Sequence, residues 1–182
     1  YLSALSRHHA DFIKDQCHKI SRSIINYCIE HHASTLVLGE NKRWKQDCDM
    51  GSQNNQNFVS MPTGLLKQMI IYKASDAGIK IIMQEESYTS QADITAMDYI
   101  PVYGVDAENT VFSGRRISRS LYRCFNGMII NADCNGAANI MRKAITDAWN
   151  SITDFSFLAS PEVSGFHELN PLSISVKGIA AA

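Results

Sequence analysis

From about Ser6 to His32 the apolar residues Ile13, Cys17, Ile20, Ile24 and Cys28 return three and four positions apart, while Lys14, Asp15, Lys19 and Arg22 fall on the other face. That period predicts one long amphipathic helix. Thr35-Leu36-Val37-Leu38 follows as a short apolar run and predicts a buried strand that ends at Gly39-Glu40. Asn41 to Asn57 is polar and predicts a loop. Pro62 predicts the start of a second helix, because its fixed φ suits a first turn. Leu65, Leu66, Met69, Ile70 and Ala74 form that helix's apolar face, and Gly78 marks its end. Ile79-Lys80-Ile81-Ile82-Met83 then predicts a second buried strand. Strand, helix, strand in this order forms a right-handed crossover, so the two strands are expected to be parallel.

Ser87 to Phe125 breaks the pattern, with Pro101, Gly104 and Gly114 among mixed polar residues, and predicts an irregular insertion. At its end Leu121–Phe125 and Met128-Ile129-Ile130 flank Asn126-Gly127, a strong hairpin signal. A third helix is predicted from about Gly136 to Ile152, with Ile140, Met141, Ala144, Ile145, Ala148 and Trp149 as its apolar face. The tail after Asp154 holds Pro161, Pro171 and small residues, and is expected to be poorly ordered or to drape over the surface.

With 182 residues, 45% hydrophobic and 19% charged, the chain has the make-up of one globular domain with a real core. No apolar run approaches the roughly 20 residues of a membrane span, and no signal-peptide core follows Tyr1. The net charge of −1 supplies no global basic field, so any nucleic-acid contact must rest on local clusters. The five cysteines are odd in number and contain no Cys-x-x-Cys, which reads as reduced, intracellular thiols and argues against a cysteine zinc site. Met61, Met69, Met83 and Met141 read as core fillers, and His8-His9 and His31-His32 as surface residues.

Two carboxylates carry the chemistry. Glu40 ends a strand, the end of an open α/β sheet that faces a ligand crevice, although a solvated strand-end glutamate occupies such a position equally well. Asp133 opens the third helix within Asn131-Ala132-Asp133-Cys134-Asn135-Gly136-Ala137 and fits either a helix cap or a metal ligand. The small run Gly136-Ala137-Ala138 would let that helix approach the sheet and bring Asp133 toward Glu40. Two such acids repel unless a cation lies between them, and Mg²⁺ suits oxygen ligands. Two metals about 4 Å apart can clamp both oxygens of a phosphodiester displacement. Glu85 and Glu86 end the second strand as a solvated pair or as further ligands. Arg115, Arg116, Arg119 and Arg123 lie within nine residues with no acid among them, and Lys42, Arg43 and Lys45 follow Glu40 with Trp44 between them. Arginine's planar fork suits phosphate oxygens, and the bland alternative is a solvated basic loop.

Six ordered blocks resemble the C-terminal half of the TnpB (OrfB) family of transposon-encoded, RNA-guided DNA nucleases. They are Asp15–Arg22, Leu36–Lys42, Asn54–Phe58, Glu85–Ser90, Phe112–Arg116 and Asn131–Ala137, and the likeness runs from about Leu5 to Ala144. The resemblance implies a RuvC-like domain of the RNase H-like fold, with Glu40 as its second and Asp133 as its third metal-binding carboxylate. It implies Mg²⁺ as cofactor and DNA and a guide RNA as partners. Thr89, Ser90 and the segment to Arg123 correspond to the family's target-nucleic-acid-binding insertion. The family's first carboxylate stands on a strand that would precede Tyr1, so an N-terminal remainder of the nuclease is an expected partner. Many relatives carry a zinc ribbon in the insertion. Here Ser90-Gln91-Ala92-Asp93 stands where the first cysteine pair would be and Cys124 is alone near the second, so zinc is not expected.

The sequence thus predicts an α/β chain with a partial RNase H-like fold that lacks the first strands of its sheet. Residues 1–86 form the RuvC-like part, 87–130 the insertion, 131–153 the final RuvC-like helix and 154–182 the tail. The expected function is that of the C-terminal part of an Mg²⁺-dependent DNA endonuclease, transposase-like in its labels, cytoplasmic and nucleoid-associated when bound to DNA. Alone it is expected to lack activity for want of the first carboxylate. The alternatives are a non-catalytic nucleic-acid-binding module and a remnant that folds only with a partner.

Overall fold

The computed structural model describes residues 2–40, 62–105 and 110–162. The expected loop at 41–57, with Lys42, Arg43 and Lys45, lies outside the described residues. The chain divides into two compact units, and the boundary passes through two paired strands.

The first unit is built on two helices. Helix α1 spans Leu2–Glu30 and buries Cys17, Ser21, Ile25 and Cys28, one stripe at helical spacing. Helix α2 spans Thr63–Asp76, with Pro62 at the cap position rather than inside the first turn, and packs on α1 through Met69, Ile70, Lys73 and Ala74. Lys73 was not among the predicted core residues, yet only 4% of it is exposed. Its Nζ donates to the His18 carbonyl oxygen at 2.7 Å and to Ser21 Oγ at 2.6 Å, the satisfaction that a buried ammonium requires. Burial, with Arg22 adding repulsion, pulls its pKa below the lysine range.

Strands β1 (Thr35–Glu40) and β2 (Lys80–Glu85) pair in a two-stranded sheet. The sequence predicts both as buried, but β1 is half-buried along its whole length, because this sheet holds only two strands among the described residues. That is compatible with an α/β class.

The second unit carries a three-stranded antiparallel sheet. Its strands are β3 (Arg115–Arg116), β4 (Leu121–Arg123) and β5 (Ile129–Asn131), in the order β3-β4-β5. The β4–β5 hairpin is where Asn126-Gly127 predicts it. Gly127 N–H donates to the Cys124 carbonyl, so Phe125 and Asn126 form the turn centre and Gly127 takes the left-handed position at φ +85°. β5 runs directly into helix α3, Ala132–Ala144. This helix starts four residues before the predicted Gly136 and ends before Ile145, whose extended backbone breaks it. Its buried face also differs from the predicted one: Ala132, Asn135, Gly136, Ala138 and Asn139 are covered, while Met141 is exposed.

After α3 the chain doubles back, and Trp149 Nε1 donates to the Ala138 carbonyl at 3.0 Å. The start of the tail is therefore not draped loosely. Phe155 and Leu158, at and within a short 3₁₀ turn (Ser156–Leu158), are buried in the unit's core with Ile94, Tyr122, Cys124, Ile130, Ala132 and Ala138. Met69 is a core filler as predicted, whereas Met83 at 40% exposure is not.

Candidate functional site

Asn131 resolves the ambiguity at the start of α3. Its Oδ1 accepts from Asp133 N at 2.9 Å and from Cys134 N at 3.0 Å, so Asn131 is the cap and Asp133 stands inside the first turn. The cap reading of Asp133 is thereby removed. Its side chain is 84% exposed and reaches Arg116 Nη2 at 3.3 Å. The same nitrogen donates to the Arg119 carbonyl oxygen at 2.7 Å, which tethers the guanidinium to the backbone independently of Asp133.

Arg115 and Arg116 are neighbours in sequence and part company in space, since successive residues of a strand face opposite ways. Arg116 is opposite the buried Tyr122 and turns toward α3, while Arg115 is directly opposite Arg123 on the outer face. Arg123 in turn is opposite Ile129, which is 43% exposed. Like charges set opposite each other destabilise a sheet, and an anion laid across them reverses that term.

Glu40 ends β1, half-buried. Beside it Gly39 makes room for two side chains: a Cβ there would come within 2.4 Å of Glu86 Oε2 and 3.0 Å of Ile140 Cδ1. Helix α3 thus meets β1 through Ile140. Asp133 precedes Ile140 by seven residues, two turns earlier on the same stripe of the helix. Glu85 is ion-paired to Lys143 at 2.5 Å and accepts from Ser87 N at 2.6 Å, while 42% of its side chain remains exposed. Burial raises its pKa, but the bonds from Lys143 and Ser87 outweigh that and leave the carboxyl below the usual glutamate range.

Among the described residues no group of three or more His, Cys, Asp and Glu side chains comes together to hold a metal ion. The described residues therefore do not complete a metal centre by themselves.

The segment between β2 and β5 is fastened by polar residues that the hydrophobic pattern cannot reveal. Asp93 is fully buried; its Oδ1 accepts from Thr95 N at 2.8 Å and Thr95 Oγ1 at 2.7 Å, and its Oδ2 accepts from Phe125 N at 2.7 Å. Asp98 accepts from Asp93 N at 2.9 Å and from Ser113 N and Oγ at 2.8 and 2.6 Å. Asn135 and Asn139, both fully buried on α3, donate to the Ala92 carbonyl at 2.8 Å, and Asn139 also donates to the Thr89 carbonyl at 3.0 Å. Thr89 is 3% exposed and its hydroxyl donates to the Glu86 carbonyl at 2.7 Å, while Ser90 is exposed. Arg142, which burial draws below its ordinary pKa, donates to the Asp98 carbonyl. Cys124 lies beside this network, and burial pushes its thiol up to about 11, well outside the reactive range. The asparagines four apart at helical spacing were the available signal for this stripe.

Comparison with known proteins places these features in a family. Residues 64–140 match the model of the Cas12f1-like TNB domain. The CRISPR-associated endodeoxyribonuclease Cas12f1 of Sulfoacidibacillus thermotolerans is 32% identical over 132 residues, covering 72% of this chain and 27% of the relative. The CRISPR-associated endodeoxyribonuclease Cas12f2 of a Micrarchaeota archaeon is 31% identical over 141 residues, covering 72% of this chain and 24% of the relative. The chain spans about a quarter of the length of these curated relatives. No helix among the described residues is long and apolar enough to cross a membrane.

Proposed function

Since the chain belongs to the TnpB/Cas12-like family of RNA-guided nucleases, we propose that it forms the C-terminal, RuvC-like part of a DNA endonuclease. Residues 87–130 serve as its target-nucleic-acid-binding insertion. Glu40 and Asp133 act as two of the metal-binding carboxylates, and an upstream segment supplies the third. Mg²⁺ in that complete centre would polarise the scissile phosphate and activate water. The arginines of the insertion hold the strand by its phosphates, and the guide RNA sets which DNA is cut. The observation that carries this reading is the solvent-facing Asp133 at the head of α3, not spent on capping, with Arg116 against it.

The same geometry accounts for a chain that binds without cutting, because the described residues gather no complete metal site. Supercoiled plasmid incubated with Mg²⁺ separates the two. The chain alone is expected to leave the plasmid intact; joined to its upstream segment and guide RNA it is expected to cut, with loss of cutting in Glu40→Ala and Asp133→Ala. Nicking by the chain alone that disappears in Asp133→Ala would overturn the need for an upstream carboxylate. Salt-sensitive DNA binding without cutting in the joined form would favour the binding module.

A further inference from the structure

Arg116 stands between two anions. One is the Asp133 carboxylate, 3.3 Å from Nη2. The other is any nucleic-acid phosphate that reaches the insertion. Nη2 is held more tightly by the Arg119 carbonyl oxygen at 2.7 Å than by the carboxylate, so the guanidinium keeps its place when the carboxylate leaves. Both partners face water, with Arg116 46% and Asp133 84% exposed, and an ion pair in that setting is weak and readily exchanged. A DNA phosphate offers the same oxygen geometry and competes for the same fork.

We propose that Arg116 is an exchangeable clamp that holds Asp133 in the free protein and hands it over when a DNA phosphate takes its place, so that seating DNA on the insertion frees the Asp133 carboxylate. This rests on the nucleic-acid-binding part of the function proposed above. By linkage, whatever removes the carboxylate from Arg116 tightens DNA binding, and whatever removes Arg116 makes the state of Asp133 irrelevant to it.

The test is a double-mutant cycle on the 182-residue chain, reading anisotropy of a labelled oligo-dT strand in EDTA at fixed salt. Asp133→Asn is expected to tighten binding about two- to fivefold, the range an exposed ion pair spans. Arg116→Gln is expected to weaken binding, and Asp133→Asn added to it is expected to change nothing further. Matching melting temperatures for the four proteins keep folding out of the comparison. If Asp133→Asn tightens binding equally with and without Arg116, the effect is general loss of negative charge and the clamp is overturned. No gain in Asp133→Asn overturns it as well. Absence of binding by the wild type overturns the nucleic-acid-binding reading itself.

Discussion

Replacing Asp93 by Ala tests how the segment between β2 and β5 is held. The carboxylate is fully buried and receives the Thr95 amide, the Thr95 hydroxyl and the Phe125 amide, all within 2.8 Å. It therefore joins the 93–98 turn to the tip of the β4–β5 hairpin. A hydrogen bond to a charged group contributes about 1.5–3 kcal/mol, and an amide left buried without a partner costs about 1–3 kcal/mol. These terms overlap, so Asp93→Ala is expected to cost about 3–5 kcal/mol rather than their sum. Asp93→Asn keeps one acceptor oxygen and is expected to cost about 1–2 kcal/mol less than that. Urea unfolding read from Trp149 fluorescence, with Trp44→Phe as background, measures both, because Trp149 packs against the core that the clasp closes. A cost under about 1 kcal/mol for the alanine variant, or equal costs for the two variants, would refute the reasoning from acceptor count.

A second expectation concerns acid stability. Glu85 titrates below its usual range when folded, so its contribution is present above the unfolded pKa of about 4.3 and is lost as pH falls through the folded value, where the unfolded chain binds the proton first. Glu85→Gln should flatten the fall in melting temperature on the acid side and leave the neutral side nearly level. A third concerns the opposed pair Arg115 and Arg123: Arg115→Thr should stabilise the chain by a few tenths of a kcal/mol while weakening DNA binding and lowering its salt slope by about one. Unchanged DNA affinity would remove the outer sheet face from the interface.

What could be read from the sequence followed hydrophobic period. Helix α1, strand β1, the face of α2 and the Asn126-Gly127 turn announce themselves through an apolar period or a left-handed glycine, although the buried stripe of α1 passes through Ser21 and Ile25 rather than Ile20 and Ile24, and β1 is half-buried rather than buried. What escaped is held by polar groups. Helix α3 was misplaced because Ile140, Ala144, Ile145, Ala148 and Trp149 form a persuasive apolar series, whereas the helix is set by the Asn131 cap and the buried amides of Asn135 and Asn139. The two-residue strand β3 is too short to show a period at all. Phe155 and Leu158 looked like tail residues, and Trp149 folding back onto Ala138 accompanies their burial in the core. Glu40 and Asp133 were legible as candidates, but whether Asp133 merely caps a helix could be answered only by finding Asn131 in that role.

One helix thus sets several parts of the candidate site at once. The first turn of α3 presents Asp133, its middle holds the Thr89 and Ala92 carbonyls through Asn135 and Asn139, and its last turn ties Arg142 to the Asp98 carbonyl and Lys143 to Glu85. The turn at 89–98 and the end of β2 are therefore fixed to the same rigid element as the acid. The hairpin that carries Arg123 runs into that helix without an intervening loop, and Asp93 secures its far end through Phe125. Arg116, paired through β3 to this hairpin, inherits a fixed position against Asp133. On the clamp proposed above, a DNA contact on the arginine segment would be registered at Asp133 by local exchange of this ion pair, with no hinge required, so the coupling between Arg116 and Asp133 is open to measurement by binding alone, without an assay of cutting.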